Sequence, residues 1–332
     1  MTAPCRFGRL EKRGAELLPK NRRVAVDENV YRLHLKKFEA LEPVYVVPAG
    51  EKHKTLHEAE RFWRYLWDTG ADRKTTVVAV GGGMTTDMVG FAAATWMRGV
   101  PFVFVPTTLL GMVDASIGGK TAVDLITPLG MAKNVVGAFA HPQFLFYDTE
   151  FLSTLDERQR RSGMAEVFKH GLIGDEDYFW VAERLYDDAL IRRSYEIKSA
   201  VVKSDPAEKG LRKVLNFGHT VGHAIEALLM ETGLLHGEAV AWGMAAETLL
   251  SVEYAGLNAN EADAIVKKLR DYMPPLDNFS IRDMEAMMSK DKKNENGKAM
   301  FTLLKRTGRA VYNVAVPVTA ASAAWKSLSA KA

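Results

Sequence analysis

Thr76-Val-Val-Ala-Val-Gly-Gly-Gly-Met-Thr-Thr-Asp87 is the stretch on which the fold turns. Thr76 to Val80 is a short run of β-branched and small apolar residues and reads as a buried strand. Gly81-Gly-Gly83 follows with no spacer, and the Ala-rich segment Met88 to Met97 reads as a helix. Strand, glycine turn and helix in that order open a βαβ unit. Glycines there let backbone N–H groups approach a pyrophosphate, and the start of the helix favours its charge. The spacing is not G-x-G-x-x-G, so an ordinary dinucleotide fingerprint is not present. Taken alone, a tight turn without a ligand also fits.

The same rhythm extends on both sides. Arg23–Val26, Val44–Val47, Phe102–Val105 and Phe144–Tyr147 read as further buried strands, and His57–Thr69 as a helix. This alternation predicts a parallel sheet covered on both faces. After about residue 155 the strand signal fades. Glu157–Leu172, Asp175–Leu190, Ile191–Val202, His219–Met230, Glu238–Tyr254 and Glu261–Tyr272 read as helices. Pro274-Pro275 breaks the pattern, and Ala299–Leu304 with Ala310–Val314 suggests a short hairpin. The expectation is an α/β domain over 1–155 and a mostly α-helical domain over 156–332. A length of 332 residues suits two domains.

Composition narrows the function classes. Hydrophobic residues make up 47% and charged residues 26%, as in soluble globular proteins. A net charge of +3, with acids and bases nearly balanced, gives no reason to expect nucleic acid as a partner. No apolar run is long enough to span a bilayer, so no membrane role is expected. The N-terminus lacks the apolar core of a signal peptide. Cys5 is the one cysteine, which excludes an internal disulfide framework and fits a reducing, cytoplasmic setting.

Ligands of open parallel sheets bind at the carboxyl ends of the strands. Asp27 and Asn29, Glu51 and Lys54, Gly82, Gly83 and Asp87, and Thr107 and Thr108 all fall at such ends. Four polar strand ends argue for a nucleotide-type edge better than any one of them. Asp114-Ala-Ser-Ile-Gly-Gly-Lys120 reads as an anion cradle with Lys120 as its point charge.

The second half carries a different chemistry. His219 and His223 are four apart, a spacing that puts two side chains on one face of a helix. His236-Gly-Glu238 lies close by, and Glu166 interrupts an otherwise apolar run. A glutamate with two histidines leaves an open position on a metal, the mark of a catalytic rather than a structural zinc site. Two histidines at this spacing are, taken alone, more often ordinary surface or core residues; His236 and Glu166 weight the metal reading. Lys169, Lys198, Arg212 and Lys292 add positive charge. Arg212, Asn216, His219 and His223, spaced 4, 3 and 4, would share one face if a single helix carried them all.

Together these segments resemble the 3-dehydroquinate synthases, a family of sugar-phosphate cyclases. The motifs are Pro48-Ala-Gly-Glu-Lys-His-Lys54, Gly81-Gly-Gly-Met-Thr-Thr-Asp87, Met97-Arg-Gly99, Pro106-Thr-Thr-Leu-Leu110, Asp114–Thr121, Ala165-Glu-Val-Phe-Lys169, Gly210–His223 and His236-Gly-Glu238. Their order and spacing run from Asp27 to Asn294, with variants that look like a bacterial subtype. The resemblance implies NAD+ and Zn2+, with Co2+ as an alternative metal, and 3-deoxy-D-arabino-heptulosonate 7-phosphate as substrate. Glu166, His219 and His236 match the metal ligands. His223 matches a substrate-site histidine, which replaces the His219–His223 metal pair suggested by helical spacing.

Asp27, Asn29, Glu51, Lys54, Gly82, Gly83, Asp87, Thr107, Thr108, Lys133 and Thr154 match cofactor positions. Asp114, Lys120, Asn134, Lys169, Lys198, Arg212, Asn216, His223 and Lys292 match the substrate pocket. Arg98 matches an arginine that reaches a neighbouring subunit, which implies a homodimer. The implied reaction oxidises a substrate alcohol with NAD+, eliminates phosphate, returns the hydride, opens the ring and closes a carbocycle by an aldol step. Two departures stand out: the segment joining Lys120 to Asn134 is longer than is usual in the family and reads as a loop, and Met1–Pro19 looks short for the family's opening strand or hairpin. Three rival readings are a cyclase for another sugar phosphate, a metal-dependent alcohol dehydrogenase, and a non-catalytic paralogue.

Overall fold

The structure, a computed structural model, describes residues 2–41, 43–127, 130–289 and 298–329. It divides into two compact units, Met1–Asp156 and Glu157–Ala332.

The first unit contains strands β1 (Cys5–Phe7), β2 (Arg22–Asp27), β3 (Val44–Val47), β4 (Thr76–Gly81), β5 (Phe102–Pro106), β6 (Lys120–Thr127), β7 (Gly130–Phe139) and β8 (Leu145–Tyr147). Its helices are α1 (Leu10–Leu17), α2 (Glu28–Leu33), α3 (Leu56–Asp68) and α4 (Gly83–Thr95). Six strands form one sheet in the order β1-β8-β5-β4-β2-β3. Every pairing in it is parallel. All carboxyl ends therefore lie on one edge.

β4 is central, and all six of its residues are buried, as a strand covered on both faces requires. Helix α3 starts at a Thr55 cap whose hydroxyl accepts from Glu58 N at 3.2 Å, and it buries Ala59, Phe62 and Leu66. Burying Phe62 and Leu66 contributes roughly 2–3 kcal/mol each.

The short N-terminal segment does supply an edge strand: β1 pairs in parallel with β8. A buried charge cluster follows it and ties down the start of α1. Lys37 Nζ donates to Asp148 at 2.9 Å and Glu150 at 2.6 Å, while Asp148 accepts from Leu10 N at 2.9 Å. The expected loop from Lys120 to Asn134 is instead an antiparallel hairpin, β6 with β7, irregular between Val123 and Leu125. Pro128 and Leu129 lie outside the described residues.

The second unit holds helices α5 (Glu157–Gly174), α6 (Glu176–Val181), α7 (Asp187–Ser204), α8 (His219–Leu228), α9 (His236–Ala255), α10 (Ala259–Leu269), α11 (Ile281–Ser289) and α12 (Val318–Ser329). Strands β9 (Lys298–Arg306) and β10 (Arg309–Pro317) form the expected hairpin. α9 is buried along most of its length and packs on α5, α8, α10, α12 and β9.

Two sequence expectations fail here. The break expected near Leu190 lies at Leu185–Tyr186, between a 3-10 turn and α7. Asp187 and Asp188 in the first turn of α7 complement its dipole and mark the start that apolar periodicity overran. Arg212, Asn216, His219 and His223 do not share one helix. Arg212 and Asn216 belong to a 3-10 turn, Leu211–Asn216, and Phe217 leaves helical geometry at ψ 129. Gly218 then takes the left-handed region at φ 80 before α8 begins.

Candidate active site

Close backbone approach builds the centre of the second unit. A Cβ on Gly243 of α9 would lie 1.9 Å from Gly218 O, and one on Gly222 of α8 would lie 3.1 Å from Ala239 O. Gly218 thus faces Gly243 while Gly222 faces Ala239, so α8 and α9 run antiparallel. α5 meets the start of α9 as closely: a Cβ on Gly237 would lie 1.9 Å from Ser162 O, and Gly237 N donates to Ser162 Oγ at 3.0 Å. One turn along α5 from Ser162 stands Glu166, fully buried.

These contacts gather Glu166, His219 and His236. Glu166 Oε1 lies 3.5 Å from His219 Nε2 and 3.3 Å from His236 Nε2. The neighbouring chain groups set the tautomers. His219 Nδ1 sits 3.1 Å from Phe217 O, a carbonyl that accepts its proton. His236 Nδ1 sits 3.1 Å from Glu226 Oε2. Both Nε2 atoms are thereby directed at Glu166, the arrangement in which an outer partner fixes a ligating imidazole.

The electrostatics point the same way. Burial opposes a charge on His236, yet the carboxylates of Glu166 and Glu226 lift it to about 10. Glu166 and Glu226 thus give the ring a negative surround. Burial and Lys169 hold His219 well below its ordinary value. The donor set of two imidazoles and one carboxylate, all within 4.8 Å, fits zinc or another borderline divalent metal.

His223 lies beside this group, its ring 5.0 Å from that of His219 and 6.0 Å from that of His236. Burial and the neighbouring His236 push it down to about 4, so it is a neutral base at pH 7. His223, Glu226 and His236 form a second possible ligand group, sharing His236 with the first. His219, His223 and Asn216 line a cavity of about 290 Å³ with Glu208, Met288 and Phe301. Lys169 pairs with Glu166 inside the core. Lys198 on α7 and Arg212 on the 3-10 turn are buried as well. Lys292 lies outside the described residues.

Sequence reasoning missed several supporting groups. Asn216 donates to Glu208 Oε1 at 3.3 Å, and Glu208 itself holds φ 56, a costly backbone for a residue with a side chain. Asp205 accepts from Lys209 N, Gly210 N and Arg212 N at 3.0, 2.7 and 3.1 Å, fixing the turn that carries Glu208 and Arg212. Asp205-Pro-Ala-Glu208 carried a turn signal in Asp-Pro, but nothing tied it to the histidines. Arg158 meets Glu238 through two bonds, 2.6 and 2.7 Å, and Glu238 caps its own helix by accepting from Leu235 N at 2.8 Å.

In the first unit, Lys54 links three of the singled-out positions. It is buried and donates to Asp87 Oδ2 at 2.7 Å and to Asn134 Oδ1 at 2.6 Å. Asn134, at φ 56, is held by its N–H to Asp124 Oδ1 at 2.7 Å. The hairpin thus carries Asn134 to Lys54 despite its added length, and Lys133 sits half-buried next to it. Gly81 and Thr107 join through Thr107 N to Gly81 O at 2.9 Å. Cβ atoms on Gly82 and Gly83 would approach Thr108 and Ala115, each at 3.1 Å.

Asp27 is engaged as the cap of α2, accepting from Asn29 N and Val30 N at 2.9 and 3.2 Å. Thr154 Oγ1 pairs with His34 Nε2 at 2.7 Å. Glu51 is exposed in a 3-10 turn, and Asp114 lies in a short π-helical turn, Gly111–Ala115. Lys120 opens β6 on the surface. Arg98 occupies an exposed turn at φ 71, directly after Met97 at φ 48.

Solved structures share this architecture. It is similar to ValA, the 2-epi-5-epi-valiolone synthase from Streptomyces hygroscopicus subsp. jinggangensis with NAD+ and Zn2+ bound (TM-score 0.87, 26% identity, 99% of this chain and 97% of that one). It is also similar to a 2-deoxy-scyllo-inosose synthase complexed with carbaglucose-6-phosphate, NAD+ and Co2+ (TM-score 0.85, 26% identity, 97% and 96% covered). A probable glycerol dehydrogenase from Sinorhizobium meliloti shares the fold (TM-score 0.60, 17% identity, 100% and 98% covered). The fold is therefore one that those two synthases and the dehydrogenase share.

Sequence places the chain within it. Family models described as 3-dehydroquinate synthase N-terminal and C-terminal match residues 44–162 and 163–294. The 3-dehydroquinate synthase of Caldanaerobacter subterraneus subsp. tengcongensis is 41% identical over 84% of this chain and 83% of its own length. That of Pelotomaculum thermopropionicum is 44% identical over 79% and 73%. The chain belongs to the 3-dehydroquinate synthase family.

Proposed function

We propose that the chain converts 3-deoxy-D-arabino-heptulosonate 7-phosphate to 3-dehydroquinate and phosphate, as a phosphate-eliminating lyase. The observation that carries this reading is the convergence of Glu166 with two histidines whose tautomers are fixed by Phe217 O and Glu226, in a chain of this family. When bound, NAD+ supplies a reversible hydride acceptor and Zn2+ or Co2+ a Lewis acid for a substrate oxygen.

Glu166, His219 and His236 hold the metal in this reading. Asp27, Asn29, Glu51, Gly82, Gly83, Thr107, Thr108, Lys133 and Thr154 form the cofactor site. Lys54, bonded to Asp87 and Asn134, keeps that edge in one arrangement. Lys169, Lys198, Arg212 and Lys292 offset the substrate's phosphate and carboxylate charge, with Asp114, Lys120 and Asn216 orienting it. Neutral His223 takes or returns a proton beside the cavity. Arg98 on its exposed turn reaches a second subunit, so the working form is a homodimer, and its compartment is the cytoplasm.

The test is product analysis of the purified, zinc-loaded protein with NAD+ and the heptulosonate phosphate. Phosphate and 3-dehydroquinate in equal amounts, with no net NADH, is the expected result. No phosphate release would overturn the reading. The structural likeness to ValA and to 2-deoxy-scyllo-inosose synthase makes heptulose 7-phosphate and glucose 6-phosphate the next substrates. Turnover of either one would identify a different cyclase, and net NADH formation a dehydrogenase.

A further inference from the structure

Glu247 stands on α9 eleven residues after His236, three turns along and close to the same face. It is fully buried. Its carboxylate accepts three backbone N–H groups from the start of α8: Gly218 N at 2.6 Å, Thr220 N at 3.0 Å and Val221 N at 3.2 Å. Gly218 is the cap position of α8 and His219 its first helical residue.

A helix start leaves N–H groups without partners, and a Ser, Thr, Asp or Asn side chain at the cap normally takes one of them. Gly218 has no side chain to do so. A side chain there would also strike Met244, since a Cβ would lie 2.4 Å from Met244 Cγ. The close packing that brings α8 to α9 therefore forbids a local cap. Glu247 supplies one from the neighbouring helix, and its bonds straddle His219 on both sides in sequence.

We propose that Glu247 is a positioning residue of the metal centre: it caps α8 across the helix pair and so sets where His219 Nε2 sits relative to Glu166 and His236. The proposal rests on the reading of that trio as a metal site. Glu247 touches neither metal nor substrate in this role. Its effect passes through the backbone of residues 218–221. A purely structural role would cost stability without changing the affinity of the folded site.

The experiment compares the full-length protein with Glu247→Gln, Glu247→Ala and the control Ser251→Ala. Ser251 lies one turn further along α9; its hydroxyl donates to Glu247 O at 2.6 Å and accepts from Leu304 N at 2.9 Å, bonds that leave the Glu247 carboxylate untouched. Apo-protein stability is read by thermal melting. Zn2+ and Co2+ affinity is read by competition with a chromophoric chelator, and ligand geometry by the visible spectrum of the Co2+ form.

Both Glu247 variants should bind metal roughly 10- to 100-fold more weakly than the parent, the usual scale for an outer partner of a ligand, with an altered Co2+ spectrum. Ser251→Ala should lose stability yet keep parental affinity and spectrum. Parental affinity in folded Glu247→Gln, or an equal affinity loss in Ser251→Ala, overturns the proposal. If Glu247→Ala does not fold, the nearly isosteric Gln variant decides. If neither folds, Glu247 is a folding residue and the proposal fails. A parent protein that binds no metal would instead sink the metal reading itself.

Discussion

Replacing Gly243 by Ala tests whether helix packing, and not the ligands alone, makes the histidine centre. The added Cβ would lie 1.9 Å from Gly218 O and 2.7 Å from Gly222 N. Side-chain Cβ atoms essentially never come within 3.0 Å of a heavy atom, and both obstacles here are backbone, so no rotamer can swing clear. α8 must retreat by about 1 Å in a close-packed interior. Overpacking of this kind costs about 1–3 kcal/mol, and a backbone obstacle belongs at the upper end. In a unit of this size that lowers Tm by roughly 5–10 °C.

The functional loss should be larger in proportion. Metal–ligand distances tolerate about 0.2 Å, so a retreat of about 1 Å carries His219 out of ligand range and weakens metal binding at least roughly tenfold. Gly233→Ala is the matched control. Unlike Gly243, Gly233 has positive φ, at 77, and nothing lies within 4 Å of its Cβ direction. That variant should lose about 1 kcal/mol through left-handed strain and keep parental metal affinity. Thermal melts of the apo-protein and a Co2+ titration of each variant read both quantities. A Gly243→Ala protein that melts and binds Co2+ like the parent would refute the reasoning.

Other outcomes follow from the same geometry. Glu226→Gln keeps an acceptor for His236 Nδ1 but removes its charge, so Zn2+ affinity in a chelator competition should fall about tenfold while the apo-protein melts normally. An unchanged affinity would show that Glu226 does not tune His236. Lys54→Met leaves Asp87 without its buried cation and removes the donor to Asn134 Oδ1; NAD+ should bind at least about tenfold more weakly in calorimetry, with metal affinity untouched. Asp205 is held below its ordinary 3.8, first by the Gly210 N–H bond and also by those of Arg212 and Lys209. A depressed carboxyl contributes stability that is present above its unfolded pKa and lost as pH falls through its folded value. The Tm gap between the parent and Asp205→Asn should thus be constant from neutral pH to about pH 5 and close in stronger acid; a gap that widens with acid would contradict the role.

The sheet was legible because each of its central strands is an apolar run with a turn at its end. Val44–Val47 was read to the residue, and Thr76–Val80 to within one. The β6–β7 hairpin was not legible as such. Asp124 interrupts its apolar pattern, and Asp124 is buried there because Oδ1 accepts from Asn134 N and its own N–H reaches Lys54 O at 2.7 Å. A residue buried by long-range partners carries no local signal. β1 was hidden for a related reason. Three residues are too few to show a period, and the strand is held by pairing with Leu145–Tyr147, far away in sequence.

In the candidate site, residues with distinctive chemistry could be read and those that act on backbone could not. Glu166, His219 and His236 stood out by type and motif, and the structure brings them together. Helical spacing suggested pairing His219 with His223. Spacing along one helix cannot reveal His236, which the antiparallel partner helix brings within reach of Glu166 and His219. Glu226, Glu247 and Asp205 looked like ordinary helix or turn acids, because their partners are an imidazole or amide groups brought close only by folding.

Gly218-His-Thr-Val-Gly222-His is therefore a packing motif as much as a candidate ligand motif. The glycines let α8 approach α9 closely enough for Glu247 to reach residues 218, 220 and 221. That same approach aligns His236 Nδ1 with Glu226 on the facing helix. Close packing, cap and tautomer control are thus coupled: each removes freedom that a two-histidine, one-glutamate centre would otherwise have to lose on binding a cation. Grafting the three ligands alone onto another helical pair should give a weaker metal site than grafting them with Gly218, Gly222, Gly243 and Glu247. The difference in Co2+ affinity between the two grafts would measure what the supporting residues contribute.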